Sequence, residues 1–320
     1  MANRKPKAGE STAGESSGFN HRYRSANWSL GQRATLAITL EASAKKLGNV
    51  HPQARFSDMS YEDFLRSAIA IAPCFDQRGE ITVGKLVYDS VAATQAAVHV
   101  NTNLGTLLLL APVAIAIRRK HRLDNLPASL SESLADLRDG TATVVEHLTA
   151  EDSLDIYAAI RLAAPGGLGK SDQHDVHHAQ APPKLIDAMR VSAEIDQVAR
   201  TYSTHFHFLF DEVVPNLQEA IEHSGDISSG IRIFQVRWLA RYGDSLVRRK
   251  LGEAENMLLQ KKATALLKIF ESEVQPTTDR FEKNWSALDR WMRTDGHRRN
   301  PGTTADLIAA GLFVLLCCQQ

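Results

Sequence analysis

Leu104-Gly-Thr-Leu-Leu-Leu-Leu-Ala-Pro-Val-Ala-Ile-Ala-Ile117 is the longest apolar run in the chain, at 14 residues. Leu307-Ile-Ala-Ala-Gly-Leu-Phe-Val-Leu-Leu-Cys-Cys318 follows at 12. Both fall short of the roughly 20 residues that a helix needs to span a bilayer. A helix that is apolar on every side is one wrapped by other helices, so both runs are read as buried helices of one core. Working outward, Leu30, Ala34, Leu36, Ile38, Leu40 and Ala44 recur at helical spacing and end near Gly48. Phe64, Ala68 and Ile71 make a second stripe, and further helical patterns cover about 81–98, 103–120, 129–147, 151–164, 181–200, 203–223, 227–242, 245–272, 277–294 and 302–318. Alternating runs of Val, Ile and Thr are scarce, which leaves little to build a sheet. The expectation is an all-α protein, a single multi-helix bundle-like domain of ten or more helices. It would occupy 27–320 behind a disordered N-terminal tail, 1–26, rich in Gly, Ser, Lys and Glu.

The totals narrow the function. At 320 residues with 43% apolar and 23% charged side chains, the chain can bury a sizeable core. Lys plus Arg and Asp plus Glu both number 37, so overall charge gives no argument for nucleic acid or an acidic membrane. Cys74, Cys317 and Cys318 form neither a disulfide framework nor a metal spacing and fit a reducing cytoplasm.

Polar islands stand ahead of several apolar helices. Lys45 to Ser67 holds three acids and four bases in 23 residues before it enters a helix. Ser60 is an N-cap candidate with Asp63 three residues on. Asn101-Thr-Asn-Leu-Gly105 precedes the first apolar run, and Asn300-Pro-Gly-Thr-Thr304 precedes the last, with Asp306 just inside it. Helix mouths carry unpaired N–H groups that attract anions, so such islands could converge on a charged ligand. The competing reading is a set of solvated loops and caps. Basic clusters Arg118–Lys120, Arg248–Lys250 and His297–Arg299 lie near helix ends, where cations also complement the dipole. Gly166-Gly-Leu-Gly-Lys-Ser171 evokes a phosphate loop but lacks the leading Gly and both flanks. Asp172, His174, Asp175, His177 and His178 could ligate a metal, though a solvated loop fits the spacing better.

In this order the islands resemble the triphosphoribosyl-dephospho-CoA synthase family. The matching pieces are Lys46, Gly48, Asn49 and Val50; Asp58 to Ser67; Asn101 to Gly105; Gly243-Asp244-Ser245; and Asn300 to Leu307. Departures are Lys45 and Leu47 in place of two prolines, Leu246 in place of an Asn, and Leu168 and Lys170 in place of an Arg and a Glu. The resemblance implies a cytoplasmic transferase that moves the triphosphoribosyl group of ATP to a hydroxyl of dephospho-CoA and releases adenine. It implies Mg²⁺, no membrane or nucleic-acid partner, and a homodimer as one assembly. Asp58, Asp63 and Asp244 would then share the metal and the proton transfers. Lys46, Arg66, Arg249, Lys250, Arg298 and Arg299, with Gly48 and Gly302, would hold phosphates, Asn101 and Asn103 ribose or base, and Asp306 would orient Arg298 or Arg299. Two alternatives remain: a related transferase with another acceptor, such as one from tetrahydromethanopterin-type cofactor synthesis, and a non-catalytic helical binding protein.

Overall fold

The computed structural model describes residues 28–119, 129–164, 181–272 and 279–318. Among them there are helices and no strand, as the periodicity predicts. In chain order they are α1 (Leu30–Ser43), α2 (Tyr61–Phe75), α3 (Val83–Val98), α4 (Leu104–Arg119), α5 (Leu130–Glu146), α6 (Ala150–Ala163), α7 (Leu185–Ser192) and α8 (Gln197–Ser203). A π-helical turn (Phe208–Val213) leads into α9 (Val214–Ser224), followed by α10 (Ile227–Tyr242), α11 (Ser245–Leu251), α12 (Glu253–Ser272), α13 (Asp279–Arg293) and α14 (Gly302–Cys318). The tail 1–26, the Gly166–Ser171 motif and the Asp172–His178 cluster lie outside the described residues.

The last apolar run is the hub. Helix α14 packs against α1, α4, α5, α8, the π turn, α9, α10 and α11, and from Leu307 to Cys318 every side is buried. Full burial of one such Leu or Phe stabilises by about 1.5–3 kcal/mol. The first run, α4, lies beside it and carries Pro112 in its interior. Proline has no N–H, so the carbonyl four residues back loses its helical partner. That carbonyl, Leu108 O, accepts instead from the buried Tyr202 hydroxyl at 2.8 Å, which ties α8 to the break. No helix among the described residues is long and apolar enough to cross a membrane.

Three expected helices are broken. The pattern over 181–200 divides into α7 and α8, because Asp196 accepts from the N–H groups of Val198 and Ala199 and starts a new helix. The pattern over 203–223 begins with His205 and Phe206 at φ 49° and 68° before the π turn. The pattern over 245–272 breaks at Gly252, where φ is 87°. Arg118, read as a solvated or dipole-facing base, donates to the carbonyls of Phe75, Gln77 and Gly79 and so closes the end of α2.

Candidate functional site

The turn after α1 is pinned from several directions. Gln235, wholly buried on α10, accepts from Leu47 N at 2.7 Å and donates to Leu47 O at 3.0 Å and to Asn49 Oδ1 at 2.9 Å. Asn49 donates in turn to Asn300 Oδ1 at 2.6 Å, and Arg293 donates to Asn49 O at the same distance. The 46–50 turn and the 300–301 turn are therefore neighbours, as convergence of the islands requires. Gly48 has φ 66°, and a side chain there would meet Met292 and Pro301. Tertiary hydrogen bonds hold the turn after Lys46, at a place where the resembled family has two prolines.

Lys46 does not face outward. Its side chain is 1% exposed, and Nζ lies 3.0 Å from Glu41 Oε1 while donating to Glu41 O. Burial pushes the ammonium down and the Glu41 carboxyl up, and the pairing opposes both shifts. In this conformation the ammonium is therefore taken by Glu41, not free for phosphate. Glu41 has no place in the sequence assignment, yet a signal was there. With Leu30, Ala34 and Ile38 it continues the apolar face of α1, and a charge on a buried face needs a partner.

Asp244 is wholly buried and joins two helix mouths. Its Oδ1 accepts from Leu246 N at 2.9 Å and Val247 N at 3.2 Å, capping α11. Its Oδ2 accepts from Thr304 N and Thr304 Oγ1, both at 2.8 Å, in the first turn of α14. The cap of α14 thus comes from a distant loop, not from the Asn300–Thr304 residues that the sequence offered. Burial pushes the Asp244 carboxyl up and the four donors resist. Asp63 accepts from Ser60 N at 2.8 Å, the expected capping box. Asp58 is largely exposed, 3.5 Å from His297 Nδ1. Among the described residues no three or more His, Cys, Asp or Glu are grouped to hold a metal. Asp244, with both oxygens engaged, does not fit as a ligand, and the three acids form no shared metal site.

Asp306 occupies the third mouth. Thr106 Oγ1 donates to its Oδ1 at 2.7 Å, and a side chain on Gly105 would lie 2.1 Å from Oδ2. Gly105 is therefore the space the carboxyl fills. Burial raises the Asp306 carboxyl to about 7, helped by the charges of Glu41 and Asp244 and opposed by Thr106. Arg249 on α11 feels Asp306 as a stabilising charge and pairs with Asp196. Lys250, lowered by burial, feels Asp244 and Asp58 favourably and Arg249 and Arg298 unfavourably. The Gly105→Ala chain is expected to lose about 1–3 kcal/mol in a denaturant melt, because Asp306 must leave Thr106 to admit the methyl.

Other assigned residues are committed elsewhere. Arg66 donates to Ala97 O on the surface. Arg299 pairs with Glu255 and Asp295, so Asp306 does not orient it. The Gly48 amide donates to Asp289 and the Gly302 amide to Asn300 O, which removes both from phosphate contact. Asn101 caps α4 through Leu104 N at 3.1 Å. Asn103 accepts from Thr94, leaving its buried Nδ2 without a partner, and Arg249 Nε is a second buried donor left open. Leu246, where the resembled family has Asn, would touch a side chain at Gly302.

The profile of the ATP:dephospho-CoA triphosphoribosyl transferase family matches residues 27–320. A crystal structure from Archaeoglobus fulgidus, provisionally named a triphosphoribosyl-dephospho-CoA synthase, superposes with a TM-score of 0.59 at 21% identity. The alignment covers 81% of this chain and 98% of that one, and at such identity it shows the shared fold. No curated protein matches the chain.

Proposed function

Since the chain belongs to the ATP:dephospho-CoA triphosphoribosyl transferase family and is a transferase, we propose that it moves the triphosphoribosyl group of ATP to an acceptor hydroxyl and releases adenine. The observation that carries this reading is the open Nε donor of Arg249, buried in the last turn of α11 beside Lys250 and within reach of the charge of Asp306. Buried donors are almost always satisfied, so an open one on a cation marks a place for an anion. A triphosphate, with about four negative charges, supplies acceptors for Arg249, Lys250 and Arg298 together. Mg²⁺ enters with the nucleotide as part of the substrate, and Asp58 is the exposed carboxylate near the basic group. The open Nδ2 of Asn103, at the mouth of α4, is a donor for ribose or base.

The reaction is a displacement at an anomeric carbon. Its transition state resembles an oxocarbenium ion, which calls for proton delivery to the leaving base and proton removal from the entering hydroxyl. Incubation with ATP, Mg²⁺ and dephospho-CoA is expected to release free adenine, detected by chromatography. Adenine only with a different hydroxyl acceptor would place the chain among related transferases, such as the one-carbon cofactor alternative. No adenine with any acceptor would leave a binding protein. Arg249→Ala is expected to raise the KM for ATP about 10- to 100-fold, the loss of one charge-assisted hydrogen-bonded group. An unchanged KM would remove Arg249 from the triphosphate site.

A further inference from the structure

We propose, resting on the transfer reaction above, that Asp306 is the catalytic acid that hands its proton to a ring nitrogen of the departing adenine. The C1′–N9 electron pair leaves with adenine, which takes the Asp306 proton. The acceptor oxygen forms the new bond to C1′. Its hydroxyl proton passes to solvent, from which Asp306 is reprotonated.

Geometry separates Asp306 from Asp244, Asp63 and Glu41. Asp244 has four donors on its two oxygens and no exposure. Asp63 is held as the capping partner of Ser60. Glu41 is paired with Lys46 beneath the turn. Asp306 is only partly covered, and the single side-chain donor fixing it, Thr106 Oγ1, binds Oδ1 alone. Oδ2 fills the space beside Gly105 that a side chain there would take. Arg249, the proposed triphosphate ligand, sits close enough to sense the carboxyl, so one nucleotide could touch both.

The groups facing Asp306 are Thr106 from α4, Glu41 from α1 with its partner Lys46, Asp244 at the start of α11, and Arg249 within α11. Two acids and burial outweigh Thr106 and hold the carboxyl near 7, protonated over the acid side of neutrality. The rate on ATP is therefore expected to fall as pH rises through about 7.

The test uses the full chain with ATP and with 7-methyl-ATP, whose purine is already cationic and leaves without a proton. Asp306→Asn keeps an acceptor for Thr106 and is expected to slow base release from ATP by about 10²- to 10⁴-fold, the usual worth of a general acid. On 7-methyl-ATP the same variant is expected within about 10-fold of wild type, the remainder being ordinary mispositioning. Equal losses on both nucleotides would overturn the assignment while leaving the transferase reading intact. Wild type that releases no base from either nucleotide with any acceptor would overturn the transfer reading and this role with it. Should the variant misfold, wild-type pH profiles decide: a fall near pH 7 with ATP that is absent with 7-methyl-ATP supports Asp306, and parallel profiles refute it.

Discussion

Lys46→Met is expected to destabilise the chain by about 3–5 kcal/mol in a urea or guanidinium melt, the usual cost of stripping one partner from a buried ion pair. The methionine fills the same volume, so the loss isolates charge from packing. Glu41, 5% exposed, would keep its carboxylate with no cation, or would take up a proton. The second case supplies a signature. The Glu41 carboxyl is already raised by burial, and without the opposing ammonium it rises further. A carboxyl whose folded pKa exceeds its unfolded one binds an extra proton when folded, so stability is lost as pH rises through that window. The Lys46→Met deficit is therefore expected to grow as pH rises above the ordinary carboxylate range. Adding Glu41→Leu should return most of the stability, since apolar replacement of both partners is often neutral or better. A single variant as stable as wild type at every pH would mean that the pair does not hold the turn.

Asp244→Ala is the second large effect, expected at about 3 kcal/mol or more. Removing the carboxylate leaves the N–H groups of Leu246, Val247 and Thr304 and the Thr304 hydroxyl without their acceptor. Each buried donor left open costs about 1–3 kcal/mol, and relaxation recovers part of the sum. Asp244→Asn is milder by the same logic: its oxygen still caps α11, but its NH₂ confronts the Thr304 N–H. Both variants are expected to lose adenine release together with cooperativity of unfolding, because α11 and α14 lose their common anchor. A variant with wild-type stability and no activity would return Asp244 to the chemistry that the sequence first suggested.

The fold was legible because its helices advertise themselves. Val83–Val98, Ile227–Tyr242 and Gly302–Cys318 lie within two residues of the bounds read from periodicity. The breaks were not, since Asp196 and Gly252 look like ordinary residues inside an apolar repeat until the chain turns there. In the site, the 46–50 and 300–301 turns are neighbours, as the order of the islands suggested, while Lys46 and Asp244 are engaged in internal contacts that the sequence does not announce. Lys46 and Glu41 are five apart across a helix end, and only the folded-back turn reveals that they pair. Asp244 caps α11 locally, but its bond to Thr304 spans 60 residues and has no local trace. Thr106 and Gln235 are polar residues in apolar company, and that mismatch was their one available signal.

The central position of α14 has a consequence for synthesis. The helices that surround it, from α1 to α11, leave the ribosome before it does. At a typical 5–20 residues per second, about 3–13 s separate the synthesis of Leu251 from that of Cys318, and through that time those apolar faces surround a core with its middle missing. The nascent chain thus keeps apolar surface exposed until α14 has emerged and docked. Chaperone dependence during expression, rather than the stability of the finished protein, would then limit its yield.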